Sequence, residues 1–127
     1  MAEELVRLEI PALPAFVGVA RSVVATVATT VDGIDDDRLE DLRLAVSEAC
    51  TNAIDGHIDE ASRVVLRCVL DDEALDVHID DAAGGLSAEA IAEQGWGLQL
   101  MTALVDDVDF TRTDGATGVT LRVKLQP

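Results

Sequence analysis

Glu48 and Asn52 stand four residues apart in the stretch from Asp41 to His57, DLRLAVSEACTNAIDGH. If that stretch is helical, the two side chains sit one turn apart on the same face. A carboxylate and a carboxamide stacked there present two oxygen-rich groups suited to a hard cation and to proton transfer. Asn is also a poor residue for a helix interior, where Ala is better by several tenths of a kcal/mol, so Asn52 calls for a reason beyond propensity. A solvated polar face is the plain alternative on a charged helix.

The helical period supports that placement. At about 100° per residue, Leu39, Leu42, Val46, Ala49, Cys50, Ala53 and Ile54 fall on one side, and Asp41, Glu48, Asn52 and Asp55 on the other. Gly33 and Asp35 to Asp37 supply a break and acidic caps before this central helix, which ends near Gly56. Upstream, Leu5 to Ile10 alternates as a strand that stops at Pro11. Ala15 to Val31 keeps helical spacing at Phe16, Val19, Ala20, Val23, Val27 and Val31, with Arg21 as its one charge.

Downstream, Arg63 to Leu70 and Leu75 to Ile79 alternate as a hairpin joined by Asp71 to Glu73. A small-residue loop follows Asp80, in which Ser87 to Ala92 allows a helical turn. Gly97 to Val105 reads as a third helix opened by Gly95-Trp96-Gly97. Val108 to Thr113 and Val119 to Leu125 form a last strand pair. The order β, α, α, β, β, α, β, β predicts an α+β, two-layer sandwich, with one mixed, mostly antiparallel sheet covered on one face by about three helices.

Composition narrows the function. The 127 residues fit one domain, 1–127, with an aliphatic core, because Phe16, Phe110 and Trp96 are the only aromatics. A formal net charge of −16 opposes direct binding to nucleic acid or to an anionic membrane and favours basic partners. Cys50 and Cys68 lack metal spacing and read as small buried hydrophobes in a reducing compartment. The opening MAEELVRLEI has no secretory pattern, and no apolar run approaches the roughly 20 residues of a bilayer span, so a cytoplasmic protein is expected.

Three separated segments together resemble the GHKL ATPases, in particular the small bacterial anti-sigma-factor serine kinases of RsbW type. They are Ser47-Glu48-Ala49-Cys50-Thr51-Asn52-Ala53-Ile54, a strand ending in Asp80 with glycines behind it, and Gly95-Trp96-Gly97-Leu98 opening a helix that runs to Val105-Asp106-Asp107-Val108. The resemblance covers nearly the whole chain. It implies the Bergerat (histidine-kinase-like ATPase) fold, ATP and Mg²⁺ as cofactors, and transfer of the γ-phosphate to a serine of a STAS-type anti-anti-sigma factor. The same protein, usually a homodimer in a stress-response pathway, would sequester a sigma factor.

Under that resemblance Glu48 is the catalytic base and Asn52 the Mg²⁺ ligand. Asp80 accepts the adenine amino group, and Gly84, Gly95, Gly97 and Leu98 surround the nucleotide. The two glycines let backbone N–H groups approach phosphate at a helix N-terminus. Trp96 stands at this entrance, as a reporter of binding or as an anchor for the loop. Arg21 matches a first-helix arginine that contacts partners.

Four places depart from the family pattern. Asp80-Asp81-Ala82-Ala83-Gly84 replaces Asp-x-Gly-x-Gly, Gly56-His57 replaces His-Gly, the stretch from Gly85 to Gly95 is short for a lid, and Gly118-Val119 replaces Gly-Thr, with Thr120 one residue late. All four touch nucleotide, so a binding module that captures its partner without kinase activity is the alternative. An acidic calcium-holding domain is disfavoured, because the Asp clusters lack alternating ligand spacing.

Overall fold

A computed structural model describes residues 1–55, 63–81, 95–113 and 116–127 of the chain. The N-terminal alternation becomes β1 (Glu3–Pro11), which pairs with β2 and stops where proline removes a donor. A 3-10 turn at Pro14–Phe16 leads into α1 (Val17–Thr29), so the helix is shorter at both ends than its valine spacing predicts. Ala20, Val24 and Ala28 form its buried stripe and let it lie against α2.

α2 (Asp36–Asp55) starts where Asp35 Oδ1 accepts the Arg38 amide at 2.8 Å, and Asp36 and Asp37 favour the positive end of the helix dipole. The turn before it needs Gly33, which has φ of 99°. A side chain there would collide with the carbonyl of Gln126, because the Gln126 amide donates to Gly33 O at 2.9 Å and straps the C-terminus to this turn.

β2 (Arg63–Leu70) and β3 (Ala74–Asp81) form the expected hairpin. Asp71 closes it by accepting the amides of Glu73 and Ala74 at 2.7 and 2.8 Å, and those bonds hold its carboxyl below the usual carboxylate range. α3 (Gly95–Leu104) crosses to β4 (Asp107–Thr113), which turns back as β5 (Ala116–Lys124).

The strand order is β1-β2-β3-β5-β4, and all four described pairings are antiparallel. The element order predicts a mixed, mostly antiparallel sheet. The described strands differ because β5 lies between β3 and β4 and runs against both. The helices cover one face, where Leu42, Val46 and Cys50 of α2 and Met101 of α3 join Leu66, Cys68, Val77, Ile79 and Leu121 in a single aliphatic core. Burying each large member stabilises by about 1.5–3 kcal/mol. Both cysteines lie in this core, and burial pushes the Cys50 thiol up to about 12 and the Cys68 thiol up to about 11, so they pack rather than react.

Candidate functional site

One carboxylate shows how the helices are aligned with the sheet. Asp106, just after α3, pairs with Arg38 at the start of α2 at 2.6 Å and accepts the amide of Lys124, near the end of β5, at 2.7 Å. Lys124 is in register with Ala74 at the start of β3. The beginning of α2, the end of α3 and the start of β3 therefore share one end of the molecule. At 1.5 Å per residue α3 is about 15 Å long. Its first turn, the second half of α2 and the end of β3 consequently face the other end, where the candidate site lies.

On α2, Glu48 and Asn52 are both half-buried, with side-chain origins about 6 Å apart at this spacing. Neighbouring Ser47 bonds back to the Arg43 carbonyl at 2.9 Å, so its hydroxyl is occupied within the helix. Gly95 and Gly97 fall in the first turn of α3, as expected, with Leu98 half-buried beside them. α2 packs directly against α3, so the second half of α2 and the first turn of α3 lie toward the same end of the molecule. Arg21 is exposed on α1 and makes no ion pair among the described residues. Gly84, the Gly56-His57 pair and the turn expected at Ser87–Ala92 lie outside the described residues.

Asp80 does not join this group. Side chains alternate along β3: Leu75, Val77, Ile79 and Asp81 turn toward the helices, and Asp76, His78 and Asp80 toward the open face. Asp80 lies over Gly118 on the open face, where a Cβ at 118 would collide with its carboxylate. Among the described residues it pairs with Arg67, at 4.0 Å.

The residue on the helix side is Asp81, 1% exposed and the only buried charged side chain among the described residues. It is in register with Val64 on one side and Thr117 on the other. The alternation that identified the strand already carried this information, since Val77 and Ile79 continue in steps of two to 81. The same alternation turns Thr120 outward, where its hydroxyl bonds His78 Nδ1 at 2.8 Å, and turns Val119 inward.

The open face is a shallow concavity of about 770 Å³ flanked by Arg67, Asp76, His78, Asp109 and Arg122. Arg122 bonds Asp76 at 2.9 Å and lies 3.7 to 3.9 Å from Glu73 and Asp71. Burial nevertheless raises the Asp76 carboxyl above its ordinary range. Burial, with Arg67 adding to it, lowers the His78 imidazole.

The residues on the helix side fit a magnesium-nucleotide. A buried carboxylate at a strand end can accept an amino group, a carboxamide can ligate a hard cation, and a glycine turn can admit phosphate. Among the described residues no cluster of three or more His, Cys, Asp or Glu forms a ready-made cage for a metal ion. Mg²⁺ at this site would therefore rely on Asn52 and on phosphate oxygens.

The fold defines a class, because residues 10–124 match the family described as histidine kinase-like ATPase domain. The solved RsbU and RsbW domains of a Mycobacterium tuberculosis protein superpose with a TM-score of 0.72 at 22% identity. That match covers 96% of this chain and 33% of the longer one, so the chain spans a third of that neighbour. The serine-protein kinase RsbW of Bacillus pumilus is 31% identical over 134 residues, covering 90% of this chain and 82% of the relative. RsbW of Bacillus subtilis is 30% identical at the same coverage. The chain belongs to the RsbW family of histidine kinase-like ATPase domains.

Proposed function

We propose that this chain is an ATP- and Mg²⁺-dependent serine kinase that also acts as an anti-sigma factor, phosphorylating a STAS-type anti-anti-sigma protein. The observation that supports this best is the common end shared by Glu48 and Asn52 on α2, Asp81 on β3 and the glycine turn of α3. The relatives carry the name serine-protein kinase, which favours the catalytic reading over capture without catalysis.

In this reading ATP supplies the transferable γ-phosphate and Mg²⁺ offsets its charge. Asn52 offers its amide oxygen to the ion. Glu48, one turn away, accepts the proton of the incoming serine hydroxyl. Asp81, rather than Asp80, accepts the adenine amino group, since it alone of the two faces the helices. With the motif starting at 81, Ala83 takes the place of the first glycine and Gly85 that of the second, and Thr117 lies opposite the acid in register. Gly84 then falls between those two positions in the sequence. Gly95, Gly97 and Leu98 form the phosphate-side turn.

Arg21 contacts the protein partner. The charge of −16 steers basic sigma-factor surfaces toward the molecule and away from nucleic acid. The working unit is a cytoplasmic single domain, 1–127, acting as a homodimer in stress-response regulation. Among the described residues no helix is long and apolar enough to cross a membrane.

Transfer of labelled γ-phosphate to a purified STAS-domain protein tests the assignment. Glu48→Gln should keep Mg-ATP affinity and lose about 10²- to 10⁴-fold in turnover, the usual contribution of a general base. Asn52→Ala should lose Mg-ATP binding as well. Unchanged turnover in Glu48→Gln would remove that residue from the mechanism.

A further inference from the structure

We infer that Arg38 and Asp106 are positioning residues for the nucleotide site, fixing α3 lengthwise against α2 and so setting where Gly95 and Gly97 stand relative to Asn52. The inference rests on the nucleotide reading above and concerns residues that do not touch the ligand. Arg38 is about 20 Å from Asn52 along α2, and Asp106 lies beyond the opposite end of α3 from its glycine turn.

Elsewhere α2 and α3 contribute apolar side chains to a common core, including Ala45, Ala49 and Met101. The hydrophobic contribution of that packing is non-directional. The Arg38–Asp106 pair has direction. Arg38 Nη2 meets Asp106 Oδ2 at 2.6 Å, and the same oxygen accepts the Lys124 amide at 2.7 Å. Arg38 Nη1 reaches the Gly33 carbonyl at 3.3 Å, and the Asp106 amide donates to Arg122 O at 3.0 Å.

One contact cluster thus ties the end of α3 to α2, to the α1–α2 turn and to β5. Among the described residues it is the only polar side-chain link between α2 and the α3–β4 segment. A displacement of the anchored end is carried along the short helix to the glycine turn. There, misplacement of about 1 Å is enough to disturb catalysis.

Arg38 is 19% exposed and Asp106 37%, and pairs of that kind contribute little to global stability. Loss of the pair should therefore show in the site before it shows in the fold. In Asp106→Asn the Kd for Mg-ATP, measured by calorimetry on the full chain, should rise about tenfold with a small change in Tm. Amide exchange in α3 should quicken relative to α1, with or without nucleotide. Glu40→Gln, which removes the 3.0 Å Arg43–Glu40 pair on the same helix, should leave both readouts unchanged.

Arg38→Gln provides a second variant should Asp106→Asn fold poorly, and it should give the same pair of effects. Wild-type Kd together with wild-type exchange in a folded variant overturns the inference. Absence of Mg-ATP binding by the unaltered chain overturns the nucleotide reading instead, and the exchange comparison still decides whether the pair fixes α3.

Discussion

On the helix side of the sheet, Leu66 and Cys68 of β2, Val77 and Ile79 of β3 and Leu121 of β5 are sealed under α2 and α3, with Asp81 as the charged exception. On the other side, the alternate residues of the same strands present Arg67, Asp76, His78, Thr120 and Arg122 to a shallow basin. The backbone is common to both, so the contrast comes from side-chain alternation alone. A carboxylate on the open side is spread among arginines and water, as Asp80 is beside Arg67. A carboxylate on the covered side is desolvated and must be used, or at least satisfied, where it stands. Strand parity therefore places Asp81, and not Asp80, on the side where the nucleotide is proposed to lie.

Three changes sharpen the contrast. Leu66→Ala should cost about 2–5 kcal/mol in chemical denaturation, since it opens a cavity in a core that cannot fully collapse. Val65→Ala, on the adjacent but open position, should cost about 1 kcal/mol. Equal losses at the two positions would show that something covers the open face. Smaller still is the effect of pH at His78, which faces Arg67, Asp76, Asp80 and Thr120.

Its folded value lies below the ordinary 6.5, so the fold favours the neutral ring. The stability it contributes is complete above the unfolded-state value and is lost as pH falls through the lower folded value. Asp76, raised by burial, runs the other way, because its contribution is present at low pH and fades as pH rises through its folded value. His78→Asn should therefore flatten the fall in Tm on acidification below about 6.5 by a few °C at most. An unchanged slope would discount burial on this face.

Much of the fold was legible because its signals are local. The 3.6-residue period of α2, the Asp71 turn between β2 and β3, and the valine-rich α1 each depend on residues close in sequence. The strand neighbours β3 and β5 follow from packing across the whole chain, and the sequence did not show that β5 enters between β3 and β4.

Site reading divides in the same way. The i, i+4 spacing of Glu48 and Asn52 is legible locally, whereas Gly95 and Gly97 stand out only through the family resemblance; the structure puts those glycines in the first turn of α3. The family motif points to Asp80, whereas strand parity turns Asp81 toward the helices and Asp80 toward the open face. Arg38–Asp106 was not visible at all, because its partners are 68 residues apart and neither belongs to a recognisable motif.

The central claim is that the nucleotide lies on the covered side of the sheet, and calorimetric titration of Mg-ATP into Asp80→Asn and Asp81→Asn tests it most directly. A nucleotide on that side gives a Kd within about twofold of wild type for the first and at least about 100-fold weaker binding, roughly 2.7 kcal/mol, for the second. Weakened binding in Asp80→Asn with Asp81→Asn unaffected would contradict it.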